Sequence, residues 1–401
     1  MGNGGLGGFF ENFLSKDTVF SEKKALQPSY SPEEIIHREM EVKQVADTLA
    51  PCLKCEKPSN LFIYGKTGTG KTLTINYVTR ELLKAAQKQE TPLKIIYINC
   101  KLKRSTDTEY RLLAQLLKFF DKEVPYTGLP TEELYKLFYG VLENEKKNVL
   151  LILDEIDYLV NKIGDGFLYN FTRMNEVTFS NLSLIGISND VTFVESVDPR
   201  VRSSLSEEEL IFPPYNALQI QDILRNRTKL AFKQGVLENG VIEKCAAYAA
   251  REHGDARRAL ELMRVAGEIA DRNNQQKVLI NHIDEAEEKI DRDRIYDIVV
   301  TQPKQYHVVL YSILSLYSTK KNIIFTGDVY NVYKDCCSKT NLRHLTQRRV
   351  SDIIAEFDML GVINATTISK GRYGRTREIT LGIDAAVLSR IKTFLENEIS
   401  I

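Results

Sequence analysis

No stretch of the 401 residues stays apolar for anything near the ~20 residues that a membrane-spanning helix needs, which argues for a globular chain without a bilayer span. The opening Met1-Gly-Asn-Gly-Gly-Leu-Gly-Gly8 lacks the basic and apolar regions of a secretory leader, and Leu6 stands where an N-myristoylation signal wants Ser or Thr. Residues 1–20 are therefore expected to be a mobile tail on an intracellular protein. Cysteine is sparse and badly spaced for a metal. Cys52-Leu-Lys-Cys55 has no second pair at zinc-ribbon distance and Cys336-Cys337 are adjacent, so all six are expected to be reduced thiols. Internal repeats are missing as well.

Net charge is also absent, with 54 Lys and Arg against 54 Asp and Glu, but the balance is local rather than uniform. Residues 301–401 carry 14 Lys and Arg against 9 Asp and Glu, a net of +5 that leaves −5 for the rest. A basic C-terminal part on an acidic body points to a polyanion partner at that end.

The strongest positive signal is Gly65-Lys-Thr-Gly-Thr-Gly-Lys-Thr72, directly after the apolar Asn60-Leu-Phe-Ile-Tyr64 and before a helical pattern from about Lys71 to Gln89. Gly65, Gly68 and Gly70 let the loop, with Lys66, Thr67 and Thr69, turn successive N–H groups toward phosphate oxygens. The helix that starts at Lys71, Thr72 and Leu73 adds its positive end. Lys71 is placed to reach the β- and γ-phosphates and the Thr72 hydroxyl to hold Mg²⁺.

Five strand-like runs are read at 61–64, 95–99, 149–153, 182–188 and 209–212, separated by helical patterns, which implies an α/β fold with a mostly parallel sheet. Pro213-Pro214 closes it. The expected domains are a nucleotide-binding domain (1–214), a helical domain (215–298) and a DNA-binding domain (299–401). In the second, the charged stretch Asp284–Arg294 reads as a helix leading into a linker.

Val149-Leu-Leu-Ile-Leu-Asp-Glu-Ile-Asp157 carries the other half of the site. A strand buried on both faces would deliver its acids at the carboxyl end, where ligands bind in open α/β sheets. There Asp154 would hold Mg²⁺ through its water shell and Glu155 would polarise the attacking water. Asn189 ends the next buried strand, Arg200 and Arg202 are read on a loop before the fifth strand, and Arg257 begins a helix in the second domain. Taken singly, each also fits a turn or a solvated surface.

Taken in order, phosphate loop, Asp-Glu box, strand-end Asn, Arg before the last strand and Gly-x-x-Arg in a helical lid resemble the AAA+ ATPases. His37-Arg38-Glu39, Asp198-Pro-Arg-Val-Arg-Ser-Ser204, Gly254-Asp-Ala-Arg-Arg-Ala-Leu260 and a terminal winged helix resemble one branch. That branch is the archaeal replication-initiator family related to the origin recognition complex and cell division control protein 6. The resemblance implies an AAA+ P-loop domain with a parallel sheet, a helical lid and a C-terminal winged helix-turn-helix.

It implies ATP/ADP and Mg²⁺ as ligands, slow hydrolysis of ATP to ADP and phosphate used as a switch on lid and winged-helix geometry, and an archaeal cytoplasmic location. Implied partners are double-stranded origin DNA, a replicative helicase of the MCM type and paralogous initiator subunits. By the same resemblance Asn189 is sensor 1, Arg257 is sensor 2, Arg200 or Arg202 is a finger acting on a neighbour's nucleotide, and Tyr30 to Arg38, including His37, pack on adenine. A helical insert carrying Lys103 and Arg104, which also reads as a plain amphipathic helix, would touch DNA.

Beyond Pro303 the pattern gives helices at 307–317, 329–336 and 345–360, then short strands at 362–369 and 378–381. Thr346, Gln347, Arg348, Arg349 and Ser351 cluster at the start of the third helix, the end that enters the major groove in helix-turn-helix proteins. The hairpin between the strands offers Lys370, Arg372, Tyr373, Arg375 and Arg377 as a basic wing. A clamp-loader-like ATPase would share the first two domains, and an ATP-responsive transcription regulator the DNA-binding part.

Overall fold

A computed structural model describes residues 18–101, 108–125, 128–145, 148–177, 181–205, 208–252, 254–319, 324–369, 375–381 and 385–399. The chain divides into two compact units, Met1–Ile283 and Asp284–Ile401.

The first unit is built on five parallel strands, β1 (Leu61–Tyr64), β2 (Leu93–Asn99), β3 (Asn148–Asp154), β4 (Leu182–Ser188) and β5 (Glu208–Ile211), in the order β2-β3-β4-β1-β5. Every residue of β1, β3 and β4 is buried. Because side chains alternate, Phe62, Leu151 and Leu153 join the core on one face, and Leu61, Ile63, Leu150 and Ile152 the core on the other. Around the sheet lie α1 (Glu39–Leu49), α2 (Lys71–Lys88), α3 (Glu109–Lys118), α4 (Thr131–Glu145), α5 (Ile156–Ile163), α6 (Gly166–Val177) and α7 (Pro199–Leu205). β1 and β3 end level with each other beside β4, so the phosphate loop after Tyr64 and the acids after Leu153 emerge at one sheet edge.

The insert helix is present as α3. Thr108 caps it by accepting from the Arg111 N–H, and Leu112, Leu113, Leu116 and Leu117 are buried, so its apolar face is spent on the core. Lys103 and Arg104 lie outside the described residues.

The lid follows Pro213-Pro214 in the same unit as α8 (Ala217–Ala231), α9 (Val241–Arg251) and α10 (Ala256–Arg272). Asn216 and Gln219 form a reciprocal capping box at α8, and Asp255 caps α10 by accepting from the Arg257 and Arg258 N–H groups.

The expected tail runs too far. Thr18 to Phe20 are docked on the lid: the Val19 N–H donates to Asp271 Oδ1 at 2.8 Å, Phe20 bridges to Phe232, and their rings stack at 4.8 Å. Gly267 of α10 makes the room, since a Cβ there would meet the Phe20 ring at 2.4 Å. Burial of two large apolar side chains outweighs the flexibility suggested by the glycines upstream. Phe20→Ala is expected to cost about 3 kcal/mol in urea unfolding; an unchanged midpoint would contradict the docking.

The charged stretch 284–294 lies inside one helix, α11 (Ile280–Val300). The second unit then builds a winged helix from α12 (Lys304–Thr319), β6 (Ile324–Phe325), α13 (Thr326–Lys339), α14 (Gln347–Met359), β7 (Asn364–Ser369), β8 (Arg375–Thr380) and α15 (Ala385–Ile399). Its antiparallel sheet has the order β6-β8-β7. Val350, Ile353, Ile354 and Phe357 of α14 pack into a core shared with Val308, Val329 and Leu395.

Candidate nucleotide site and nucleic-acid interface

The phosphate loop takes backbone angles that its sequence requires. Gly68 has φ +70°, and a Cβ there would fall 1.7 Å from Asp255 Oδ1 of the lid. Gly70, at φ +94°, opens α2. The loop therefore accepts the lid at close quarters. Thr67 Oγ1 donates to Asp255 Oδ2 at 3.4 Å and the Ala256 N–H to Gly68 O at 3.3 Å. Thr69 Oγ1 closes the loop on itself by donating to Lys66 O at 2.9 Å.

Lys71 is buried, and its ammonium donates to Gly65 O at 2.6 Å, Lys66 O at 2.8 Å and Asn189 Oδ1 at 2.9 Å. Desolvation pushes it down to about 8, with Asp154 opposing the shift and Arg257 adding to it. A cation so placed gains from an anion at the loop. The bond to Asn189 sets the strand-end amide beside the buried ammonium of the loop.

Thr72 Oγ1 donates to Asp154 Oδ2 at 2.9 Å, bringing a hydroxyl and a carboxylate from two elements to one point. These are hard oxygen donors of the kind Mg²⁺ takes beside phosphate, so the residues fit the divalent metal that an AAA+ fold implies. Tyr97 of β2 also donates to Asp154 Oδ2, at 2.5 Å. Burial and that carboxylate push its phenol well above the usual tyrosine value. Tyr97 was missed from sequence because it reads as the exposed position of an alternating strand.

Glu155 leaves β3 in the left-handed conformation, φ 56° and ψ 47°, with its own N–H donating to Asp154 Oδ1 at 3.0 Å. For a non-glycine residue this costs on the order of 1 kcal/mol, a kind of strain that clusters at functional sites. Its carboxylate is 24% exposed, with Lys101 Nζ at 3.9 Å.

Between loop and lid lies a cavity of about 630 Å³. Gly68, Gly70, Thr72 and Leu73 line it from the loop side, Arg257 from α10, and Tyr30 from the N-terminal segment. Arg257 and Thr72 thus line the cavity from two different elements.

His37 and Arg38 make their contacts within the protein. Arg38 is 2% exposed; its Nε donates to Thr69 O at 3.0 Å, Nη1 to Glu41 at 3.0 Å and Nη2 to Pro213 O, while its plane lies 4.0 Å over Tyr215. It braces the back of the loop against the start of the lid. His37 pairs with Asp222 of α8 at 3.1 Å. Neither lines the cavity.

Arg200 is in the first turn of helix α7, not on a loop, because Asp198-Pro199 is a strong helix start. Its guanidinium is 73% exposed and held by both Asp198 oxygens at 3.1 Å. It does not line the cavity, and neither does Arg202.

In the second unit Thr346 caps α14 by accepting from the Arg349 N–H, which places Gln347 and Arg348, both exposed, in the first turn. Arg349 is engaged within the protein: Nη1 donates to Glu356 at 3.2 Å and Nη2 to the Tyr306 hydroxyl at 3.0 Å. Arg377 donates to Ser351 O at 2.9 Å and ties β8 to α14. Lys370, Arg372 and Tyr373 lie outside the described residues, and Arg375 opens β8 opposite Ser369.

Comparison with known proteins agrees with this architecture. Family models match for an AAA domain at residues 55–194, a Cdc6 AAA+ ATPase-type lid domain at 221–288 and a CDC6 C-terminal winged helix domain at 297–390. The chain is 50% identical over 383 residues to an ORC1-type DNA replication protein of Thermococcus onnurineus, covering 94% of this chain and 92% of that one. It is 49% identical over 382 residues to ORC1-type DNA replication protein 1 of Methanosarcina mazei, covering 94% and 91%. Among solved structures, the Aeropyrum pernix ORC1 protein in complex with DNA superposes with a TM-score of 0.83 at 42% identity, over 95% of this chain and 98% of that one. Cdc6p of Pyrobaculum aerophilum, 19% identical with a TM-score of 0.59 over 96% and 99%, shares the fold. With 50% identity over 94% of this chain and family models matching its AAA, lid and winged helix segments, the chain belongs to the ORC1-type DNA replication protein family.

Proposed function

We propose that the protein binds double-stranded DNA at replication origins under the control of ATP and helps recruit or load the replicative helicase. The observation that carries this is the pairing, in one chain, of the loop-and-lid nucleotide cleft with a winged helix whose first α14 turn is exposed and basic. The support from relatives is the DNA-bound Aeropyrum structure at 42% identity. A clamp-loader role calls for a helical collar where this chain has a winged helix.

Lys71 and Asn189 would meet the γ-phosphate of ATP bound with Mg²⁺ in the cleft; loss of those contacts on hydrolysis would let ATP and ADP favour different lid positions. Asp154 and Thr72 would hold the metal, Glu155 would activate water, and Arg257 would read the nucleotide from the lid. Hydrolysis is slow and acts as a timer. Arg200, exposed and outside the cleft, acts on the nucleotide of a neighbouring paralogous subunit. The nucleotide-binding, helical and DNA-binding domains span 1–214, 215–298 and 299–401, in a cytoplasmic protein.

On DNA, Arg348 and Gln347 face base edges while Thr346 and Ser351 suit phosphates. The wing residues Lys370, Arg372, Tyr373, Arg375 and Arg377 follow the adjacent backbone. Arg348→Ala is expected to weaken duplex affinity about tenfold or more in anisotropy titrations, with a shallower salt dependence if it meets phosphate. Affinity equal to wild type across the salt series would remove α14 from the interface. Arg349→Ala should lower affinity less, because its guanidinium already has two partners in the protein.

A further inference from the structure

Asp157 is the acid of the run Asp154-Glu-Ile-Asp157 that the nucleotide scheme leaves without a task. It stands in the first turn of α5, and its Oδ1 accepts from the Ser188 hydroxyl at 3.0 Å. Ser188 is the last residue of β4, fully buried, and directly precedes Asn189. Its Oγ has a second use: it accepts the Asp190 N–H at 3.0 Å, which folds the backbone around Asn189. Asp190 O also lies 3.2 Å from that Oγ, but the single hydroxyl proton goes to the charged acceptor, which makes the stronger bond. Beyond Asn189 the turn is held again, because Asp190 Oδ1 accepts from the Thr192 N–H and hydroxyl, both at 2.8 Å.

The residue held between these two anchors is the one whose Oδ1 accepts from the Lys71 ammonium at 2.9 Å. A strand-end amide left to itself would sample several rotamers and exit directions. Ser188 fixes the exit, and its buried hydroxyl would be costly unpaired, so the bond to Asp157 is held firmly. Since α5 follows Asp154 and Glu155 directly, that bond also ties the helix headed by the acid pair to the amide of the neighbouring strand. Displacements of about 1 Å at such a group are enough to change what it does for a ligand.

We propose that Ser188 and Asp157 are positioning residues that act through Asn189: their hydrogen bond holds the strand-end amide beside Lys71 in the orientation that favours ATP over ADP. This rests on the reading above that Asn189 meets the γ-phosphate.

The test measures binding of ADP and of the β,γ-imido analogue of ATP, which is not cleaved, each with Mg²⁺ on the full chain in competition with a fluorescent ADP analogue. The readout is the ratio of the two affinities. Asn189→Ala should lower the preference for the triphosphate about tenfold, the scale of one hydrogen bond to a charged group. Ser188→Ala should lower it about threefold or more while ADP affinity stays within about twofold, and the double variant should fall no further than Asn189→Ala alone. Asp157→Ala deletes the same bond without touching the buried strand. It also removes an acid whose charge reaches Lys71, a change that by charge alone would favour the more anionic nucleotide, so a fall in triphosphate preference isolates the lost hydrogen bond. A wild-type ratio in either variant, parallel weakening of both nucleotides as a merely structural loss would give, or a double variant in which the two effects multiply overturns the proposal. If Asn189→Ala itself leaves the ratio unchanged, it is the reading of Asn189 that has failed, and the proposal falls with it.

Discussion

Lys71→Ala is expected to lower ATP affinity by two to three orders of magnitude. The ammonium is buried and makes three hydrogen bonds, two of them to carbonyls of the loop itself and one to Asn189. Truncation removes the buried cation of the loop and leaves those acceptors to face the phosphates. Losing one partner of a buried charged contact costs about 2–5 kcal/mol, and each 1.4 kcal/mol is a factor of about ten. Titration of a fluorescent ATP analogue checks this directly. Affinity within twofold of wild type would sink the assignment of residues 65–72 as a phosphate cradle.

Glu155→Gln should separate binding from chemistry. The substitution keeps size and leaves the Thr72–Asp154 pair intact, so ATP affinity should stay within about threefold. Hydrolysis should fall by ~10²-fold or more, the usual contribution of a positioned general base. Single-turnover assays with radiolabelled ATP are the suitable measurement, because product release cannot mask the chemical step. Normal turnover would take the role from Glu155. Retained turnover in Glu155→Gln combined with loss in a Tyr97→Phe variant would shift attention to the hydroxyl that donates to Asp154.

The parts of the fold legible in sequence are those where one physical requirement dominates. β1, β3 and β4 are buried along their whole length, so their apolar runs announce them to the residue or within one. β2 starts at Leu93, two residues earlier than read, because Lys94 interrupts the apolar run at the sheet edge. The closing helix α15 was overlooked although Val387, Ile391 and Leu395 recur at helical spacing and are buried. Thr18 to Phe20 were illegible for a different reason: their partners, Phe232, Gly267 and Asp271, lie more than 200 residues away.

The site divides in the same way. Lys71, Thr72, Asp154 and Asn189 were found because strand-loop-helix spacing fixes where their side chains must emerge, and the structure brings the four together. Arg38 shows the limit of such inference. Where a guanidinium comes to rest depends on which carbonyls its neighbours present, and that is not written in the local sequence. Only folded geometry shows that Arg38 is saturated.

The central claim is that this is an initiator acting at origins, rather than an ATP-dependent regulator of transcription. It is tested most directly by mapping the protein's binding sites across its chromosome and comparing them with replication start sites located by marker frequency in growing cells. The account expects the strongest binding to coincide with the start sites, and to weaken there in an Arg348→Ala strain. Binding spread over promoters, with no enrichment where replication begins, would contradict it.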